Sequence, residues 1–574
     1  EAPASLLMLT EPMRGHAGLV AGRFMKAFGS PHRVTWDPLG TDAMLSANAA
    51  VHGVRDLPEY DLANARYLLS FSGDFLETGI SPVHYARGFG RMRGDRETVR
   101  GKVVHFGPRL SMTAAAADLF LPCAPGTEGI VALGIAHVMV RDRLAAASAA
   151  AGRLADHLLA YSPEAVERTT GVHARDIAAV AEEFARNPPG IAIPGTAAAT
   201  GPDGAFHCAA VALLNVLGGN VGKPGGVSFP NRAQAFAKYG AEAALLAPSP
   251  ESGYAGMRDA RRHRKNARRG VPDGDSLGGD EPRVHPPAFA QLQRGAVEGP
   301  LRRRLRLLPR RDDVAGRPRA SRPDGTRGVG GRSRPRGACR GGHPLPAGGG
   351  SVPRHPVDAR RPDRRGWRSF KDCLDKAYGG PGGEMEKALQ RGGFFGESLS
   401  PRSAARTGSF ALPKATERPI DGDPKTFPLA LHLFPSVSLY DGRGANLPWL
   451  QEMPDPVTTA VWRNWVEVNP KTAAGLGLSD GDGVTVTSPS GKITAHVAIN
   501  PGIAPDVAAM PLGQGHTRYG KTADGRGGNP FTLLPAGETY ALQATRVALT
   551  KTNLSTRLVR FANPEGQWKI SNLM

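Results

Sequence analysis

The chain has 574 residues, which is enough for several domains, and a formal net charge of +20. A charge of this size is typical of nucleic-acid-binding proteins, but residues 258–368 alone carry +18, with 28 Arg, one Lys and 11 acidic residues. That segment has one Phe and one Trp, too few for base stacking, so nucleic-acid binding is the least favoured function. No apolar run reaches the about 18 residues of a membrane span, so none is predicted.

Upstream of residue 258, short apolar strands alternate with amphipathic helices. This pattern predicts a parallel sheet with helices on both of its faces. Ligands of such sheets bind at the carboxyl ends of the strands. The predicted strands are residues 67–71, 102–106 and 190–194, and the candidate ligand loops that follow them are residues 72–74, 107–109 and 195–197.

Two denser motifs lie in the same region. Residues 117–129 combine an acidic turn with a helix start, whose backbone N–H groups can face an anion. Residues 214–226 end a helix and then turn repeatedly, with many glycines around Lys223. So much glycine suits close approach of the backbone to a phosphate-bearing ligand.

The Arg-rich segment, residues 258–368, contains no Ile, Met or Tyr and shows neither helical nor strand periodicity. Such a composition does not form a packed core, which predicts a disordered linker or a frameshifted stretch of a GC-rich gene. Read one nucleotide later, residues 307–322 permit FFPDETTWLADLVLPD and residues 280–287 permit TNPAFTLP. Because both readings have ordinary strand and loop patterns, we favour the frameshift over a genuine linker.

A β-rich domain is predicted from about residue 428. Its elements are a strand at residues 465–470, a short helix at 472–478 and a hairpin that pairs residues 484–487 with 493–497. This pattern indicates a small barrel, whose loops at residues 513–516 and 525–530 are candidates for ligand contact.

These patterns divide the chain into five parts. An α/β core is predicted for residues 1–257, the anomalous segment for 258–368, a connector for 369–427, the barrel for 428–550 and a tail for 551–574. The start has neither Met nor the basic region of a signal peptide, so we expect a fragment or a processed product. The four cysteines form no C-x-x-C pair, and no iron–sulfur cluster is predicted within this chain.

Three motifs together resemble those of the molybdopterin oxidoreductases of the dimethyl-sulfoxide-reductase type. They are LNVLGGNVGKPGG at residues 214–226, ADLFLPCAPGTEG at 117–129 and WVEVNPKTAAGLGLSDGDGVTV at 465–486. The third resembles the start of that family's dinucleotide-binding barrel, a double-psi-like fold. The shifted readings of the Arg-rich segment resemble the family's third α/β stretch.

The resemblance implies molybdopterin guanine dinucleotide as cofactor, with two such molecules holding one molybdenum or tungsten. We also expect the α/β loops and the barrel loops to face one another across a shared cleft, because two anion sites at strand ends and a barrel mouth suit a long diphosphate-bearing ligand. The residues implied in cofactor binding are Ser72, Gly73, Asp74, Pro108, Arg109, Gly126, Thr127, Glu128, Gly195, Thr196, Gly515, His516 and Asn529.

The departures from the family's pattern concern the metal. Nothing matches the family's cysteine-rich module for a four-iron cluster, and the expected metal ligand falls near Gly40, where no Cys or Ser stands. The nearby anions, Asp37 and Asp42, are predicted to be turn or cap residues. The sequence therefore predicts neither a metal ligand nor a catalytic residue.

The stretches FGSPHRVTWDPL and SGDFLETGISPVHYARGFGRMR resemble most the large periplasmic subunits of quinone-linked respiratory complexes, of the alternative complex III and menaquinone reductase type. That resemblance implies a subunit of an electron-transfer complex on the periplasmic side of a bacterial membrane. It implies as partners an iron–sulfur subunit and a membrane subunit that interacts with quinone. The alternative is a catalytically active molybdopterin-dependent oxidoreductase subunit.

Overall fold

The structure is a computed structural model that describes residues 8–229, 390 and 420–561, apart from short gaps at 11–12, 14, 31, 36, 95–99, 202 and 536–541. Residues 258–368, and with them the frameshift prediction, lie outside the described residues.

The N-terminal described part, residues 8–229, is an α/β domain. Its strands are β1 (Met8–Thr10), β2 (Arg33–Thr35), β3 (Glu59–Tyr60), β4 (Tyr67–Phe71), β5 (Lys102–Gly107), β6 (Leu119–Pro122), β7 (Gly190–Pro194) and β8 (Val227–Ser228). Its helices are α1 (Gly15–Phe28), α2 (Thr41–His52), α3 (Pro82–Gly94), α4 (Met112–Ala115), α5 (Glu128–Arg141), α6 (Ser148–Leu158), α7 (Pro163–Thr170), α8 (Ala174–Arg186), α9 (Thr196–Ala199) and α10 (Gly204–Leu217).

A parallel sheet in the order β6-β5-β4-β7 organises this domain. All five residues of β4 are buried, because successive side chains enter two different cores. Leu69 packs in a core with α5, α8 and α10, and Leu68 packs in a core with α3 on the other face. The prediction of a parallel sheet with helices on both faces is confirmed.

The glycine-rich loop at residues 218–226 lies at the amino end of the sheet, away from the predicted ligand loops. A Cβ built on Gly225 would lie 2.4 Å from Pro189 Cγ and 2.7 Å from Asn64 O, and these two residues come shortly before β7 and β4. The Asp61 carboxylate accepts a hydrogen bond from the Gly225 N–H (2.8 Å). Gly225 and Gly226 therefore permit close backbone packing, and the interpretation of this loop as a phosphate site stays a prediction.

Asn215, which precedes this loop, also has a structural role. Its side-chain amide accepts from the Ala192 N–H (2.8 Å) and donates to the Ala192 carbonyl (2.9 Å). Since β7 is the edge strand of this sheet as far as the chain is described, Asn215 satisfies backbone groups that no described strand reaches.

The C-terminal described part, residues 420–561, contains a closed barrel of six strands in the order β11-β13-β12-β15-β9-β14. The strands of this part of the chain are β9 (Leu429–Phe434), β10 (Ala460–Val461), β11 (Trp465–Val468), β12 (Gly483–Thr487), β13 (Lys492–Ile499), β14 (Val507–Pro511), β15 (Arg546–Lys551) and β16 (Val559–Arg560). Of these, β10 and β16 pair with each other outside the barrel. Its helices are α11 (Pro448–Gln451) and α12 (Pro470–Gly475). The predicted barrel and its hairpin are confirmed, with Val484 of β12 opposite Ala495 of β13.

The barrel is attached to the α/β domain through a buried ion pair. Arg109 Nε and Nη2 donate to Glu467 Oε2 and Oε1 at 2.9 and 3.0 Å, and the two side chains are 5% and 0% exposed. Beside this pair, the Leu110 N–H donates to the Gly502 carbonyl (2.8 Å). We call this contact region, formed by Arg109, Leu110, Glu467 and Gly502, the seam.

Among the described residues, no helix is both long enough and apolar enough to cross a membrane.

We predict that Glu467→Gln lowers the free energy of unfolding of the full chain by about 3–5 kcal/mol, because it leaves Arg109 as a buried cation without its counter-charge. Denaturant titration measures this loss. Lys551→Met is the control, since it breaks an exposed pair with Asp482 (Nζ to Oδ2, 2.7 Å). Exposed pairs contribute little to stability, so equal losses in the two variants would contradict the role of the seam.

Candidate functional site

The predicted ligand loops come together at the carboxyl ends of β4, β5 and β7. Ser72 adopts a left-handed conformation (φ 52°), and its hydroxyl donates to Glu128 Oε1 at 2.8 Å. A Cβ built on Gly195 would lie 1.6 Å from the Ser72 carbonyl oxygen, so only glycine allows this approach. One cluster is thus formed by the loop after β4, the loop after β7 and the start of α5. Binding of a common ligand, which the sequence predicts for these loops, requires such a cluster.

Two buried polar atoms of this cluster have no hydrogen-bond partner among the residues that the structure describes. They are Glu128 Oε2 and His105 Nδ1, in side chains that are 0% and 1% exposed. Burial raises the pKa of Glu128 to about 6 and lowers the pKa of His105 to about 3, so at neutral pH the imidazole is uncharged. Buried groups of this kind normally have partners, which makes both atoms candidates for ligand contact.

Arg109, by contrast, is fully engaged within the protein. Besides its two bonds to Glu467, its guanidinium lies 3.8 Å from the centre of the Phe434 ring. Trp465 Nε1 and Asn500 Nδ2 also donate to the Glu467 carboxylate, at 3.2 and 2.7 Å. The structure therefore places Arg109 in the seam and gives it a structural role beside the ligand loops.

A small cavity of about 60 Å³ lies where the loops of the two domains meet. Gly73, Asp74, Gly195 and Thr196 line it from the α/β domain, and Tyr440 lines it from the barrel. For comparison, an engineered cavity that binds benzene has about 150 Å³, so this space is smaller than one that encloses an aromatic ring. A dinucleotide would have to lie along the surrounding loops.

Gly40, the expected position of the metal ligand, lies between Leu39 and Thr41, and these two residues line the cavity. Gly40 is left-handed (φ 77°), and a Cβ built on it would lie 2.7 Å from the Ala199 Cβ and 2.9 Å from the Ala199 carbonyl carbon. The backbone of α9 therefore occupies the space that a ligand side chain would need.

The two anions near this position are engaged elsewhere. Asp37 Oδ1 accepts from the Leu39 N–H at 3.0 Å, and Asp42 Oδ1 pairs with Arg55 at 2.5 Å on the surface. Among the described residues, no group of three or more His, Cys, Asp or Glu side chains is arranged to hold a metal ion. At this position, the described residues offer no side chain that is placed to coordinate molybdenum or tungsten.

The predicted barrel residues lie together around residues 440–442. A Cβ on Gly515 would lie 2.2 Å from the Asn529 N, and one on Gly442 would lie 2.9 Å from His516 Nε2. The half-buried His516 ring stacks on Tyr519 (4.7 Å between centroids), and burial lowers its pKa. Asn529 Oδ1 accepts from the Phe531 N–H (3.1 Å) and so caps a short 3-10 helix.

The remaining predicted residues support the local backbone. Thr127 Oγ1 donates to the Ala124 carbonyl (2.7 Å) at the start of α5. Pro108 is buried. Gly126 is left-handed (φ 72°) and faces Gln543 of the barrel. Asp118, in the predicted acidic turn, binds Arg93 and Arg100 and is followed by the strand β6, which the sequence analysis missed.

Sequence reasoning also missed Glu467, Tyr440 and Asn464. The signal for Glu467 is a charged residue in the middle of the buried apolar strand β11. Asn464 is 1% exposed, and its two amide atoms have no hydrogen-bond partner within the described part of the chain. Its side chain packs against Gly527 of a predicted barrel loop. It is therefore a candidate for ligand contact on the barrel side.

Two family sequence models match this chain. One, "Molybdopterin oxidoreductase", matches residues 14–294, and the other, "Molydopterin dinucleotide binding domain", matches residues 449–543. The chain belongs to the molybdopterin oxidoreductase family. The second match supports molybdopterin guanine dinucleotide as the cofactor of the barrel domain.

Relatives among characterised proteins agree with this family. The chain is 26% identical over 550 residues, covering 89% of this chain and 72% of its relative, to the menaquinone reductase, molybdopterin-binding-like subunit of Nitratidesulfovibrio vulgaris. It is 30% identical over 227 residues to the thiosulfate reductase molybdopterin-containing subunit of Salmonella typhimurium, covering 38% and 28% of the two chains. It is 30% identical over 136 residues to an arsenate respiratory reductase molybdopterin-containing subunit of Chrysiogenes arsenatis, covering 23% and 16%.

Among solved structures, acetylene hydratase from Pelobacter acetylenicus aligns with a TM-score of 0.53 and 15% identity, covering 96% of this chain and 86% of that chain. At this identity the likeness concerns the fold alone.

We predict that Gly40→Ala destabilises the protein by about 1–3 kcal/mol more than Gly171→Ala does. Both glycines are left-handed helix caps (φ 77° and 80°), so both variants lose the conformational freedom of glycine. Only Gly40 faces another backbone, because a Cβ on Gly171 would meet nothing within 4 Å. Denaturant titration compares the two, and equal losses would show that position 40 has room for a ligand side chain.

Proposed function

We propose that this chain is the molybdopterin-fold subunit of a respiratory electron-transfer complex, and that it binds molybdopterin guanine dinucleotide without metal chemistry of its own. The absence of metal chemistry is proposed because Gly40 contacts Ala199. This contact leaves no room for a side chain at the position where the resemblance implies a metal ligand. In an enzyme of this family the metal centre supplies oxygen-atom or sulfur transfer, and this chain offers it no protein ligand.

The unpaired polar atoms support dinucleotide binding. On the α/β side, Glu128 Oε2 would accept a hydrogen bond from an N–H group of the ligand, and Ser72 orients that carboxylate through Oε1. On the barrel side, the Asn464 amide offers one donor and one acceptor. The left-handed glycines Gly126 and Gly515 let the ligand approach the backbone closely.

The names of the relatives support assembly with other subunits, since three of them are themselves subunits of reductases. We propose an iron–sulfur subunit and a quinone-interacting membrane subunit as partners, on the periplasmic side of the membrane. Among the described residues, Cys123 and Cys208 are free thiols buried in the α/β core, where they pack as apolar side chains. Electron transfer would then depend on clusters held by a partner.

We predict that the full chain, isolated with its partners, releases pterin but contains no stoichiometric molybdenum or tungsten. Oxidation to a fluorescent pterin measures the first quantity and elemental mass spectrometry measures the second. Stoichiometric metal would overturn the proposal in favour of a catalytically active subunit. Absence of both pterin and metal would overturn the cofactor assignment.

A further inference from the structure

Two buried histidines, one from each domain, lie close to the left-handed glycine Gly126. In the α/β domain, a Cβ built on Gly201 would lie 3.8 Å from the Gly126 Cα and 3.8 Å from Cδ2 of His207. In the barrel, the Gln543 Cβ lies 3.9 Å from a Cβ built on Gly126, and the Gln543 side chain binds His432. Both histidines are 5% exposed. The predicted cofactor loop is thus bordered by an imidazole from each domain.

His207 takes the place of a side-chain cap at the start of α5. The Gly129 N–H, in the first turn, donates to His207 Nδ1 at 3.1 Å, whereas the Thr127 hydroxyl donates to the Ala124 carbonyl and caps nothing. A backbone N–H can only donate, so Nδ1 carries no proton. Burial lowers the pKa of His207 to about 4, although the charge of Asp203 acts in the opposite direction. At neutral pH the uncharged ring therefore carries its proton on Nε2.

His432 has the opposite tautomer, and the Gln543 amide fixes it. Gln543 Nε2 donates to the Leu433 carbonyl (3.3 Å), so Oε1 is the amide atom that faces His432 Nδ1, at 2.8 Å. An amide oxygen can only accept, so Nδ1 carries the proton and Nε2 has a lone pair. Burial and the charge of Arg109 lower the pKa of His432 to about 4, which keeps this ring uncharged at neutral pH as well.

The second nitrogen of each ring is open to a ligand. Within the described part of the chain, neither Nε2 atom has a hydrogen-bond partner. Polar atoms of side chains this deeply buried normally have one. Glu128, the residue before Gly129, also leaves its Oε2 without a described partner. This region therefore offers one donor, on His207, and acceptors on His432 and Glu128.

We propose that His207 and His432 form a subsite for a heterocycle edge of the dinucleotide, with His207 Nε2–H donating to a ligand oxygen or nitrogen and His432 Nε2 accepting from a ligand N–H. Guanine and pterin both present a carbonyl oxygen and an amino group on one edge, so both satisfy this pair. The diphosphate has only acceptors and would leave His432 unpaired. This inference rests on the proposed function, because its ligand is the cofactor.

Asparagine variants separate the structural contact of each histidine from the proposed one. In His207→Asn, Oδ1 accepts from the Gly129 N–H, and in His432→Asn, Nδ2 donates to Gln543, so each variant loses only Nε2. During dialysis of the isolated full chain, we expect each variant to lose pterin about tenfold faster than the wild type, the effect of one hydrogen bond. Oxidation to a fluorescent pterin measures what remains.

His137→Asn is the matched control for these variants. His137 Nδ1 is bonded to the Leu158 carbonyl (2.8 Å) farther along α5, and asparagine likewise keeps this contact and loses Nε2. We expect this variant to lose pterin at the wild-type rate.

Nitrogen-15 NMR of the imidazoles reads the two tautomers in the full chain without cofactor. At neutral pH we expect the proton on Nε2 of His207 and on Nδ1 of His432, with neither ring charged. Guanosine monophosphate and 6-hydroxymethylpterin, added separately, show which end of the dinucleotide binds here, because the matching probe moves both Nε2 signals.

Four results would overturn the subsite. They are the same tautomer or a charged ring at both histidines, Nε2 signals that neither probe moves, wild-type pterin retention in both His207→Asn and His432→Asn, and equally fast loss in His137→Asn. A wild type that holds no pterin is a different result, since it overturns the proposed function together with the subsite.

Discussion

The buried ion pair between Arg109 and Glu467 is the interaction on which the rest of this structure depends. Four N–H groups converge on the Glu467 carboxylate, two from Arg109 and one each from Trp465 and Asn500. Separating the two domains would deprive Arg109 of its bound carboxylate and leave Glu467 with only the Trp465 and Asn500 donors, which costs several kcal/mol. Because Arg109 follows β5 directly, the pair places the barrel over the carboxyl ends of the sheet. The location of the candidate site is a consequence of this constraint.

Under the proposed function, the same loops would explain how a family fold persists without the family's metal chemistry. Binding of a dinucleotide needs glycine backbones and a few unpaired polar atoms, and these are present in Gly126, Gly515, Glu128 and Asn464. A metal centre needs in addition one side chain at a fixed place. Near the expected place, α9 contacts the left-handed Gly40, and this packing between α2 and α9 leaves no room for a side chain at that position. Fold and cofactor domain are thus separable from catalysis.

Much of the fold could be predicted because buried parallel strands are short apolar runs in the sequence. For this reason the predicted bounds of β4 and β7 agree with those in the structure. The strand β6 was missed because it is short and only partly buried. The sequence does not decide the role of the loop at residues 218–226, since glycine is needed equally for backbone packing and for approach to a phosphate. Glu467 was missed as a site residue because its partner lies 358 positions away in the sequence, and no local pattern reports such a contact.

The most direct test of this account compares pterin retention in the wild-type chain and in Glu467→Gln, with Lys551→Met as the control, each isolated as the full chain. If the seam creates the cofactor cleft, the wild type and Lys551→Met retain pterin, whereas Glu467→Gln loses it under conditions in which the α/β domain remains folded. Equal retention in all three proteins would contradict the claim that the ion pair between Arg109 and Glu467 forms the site.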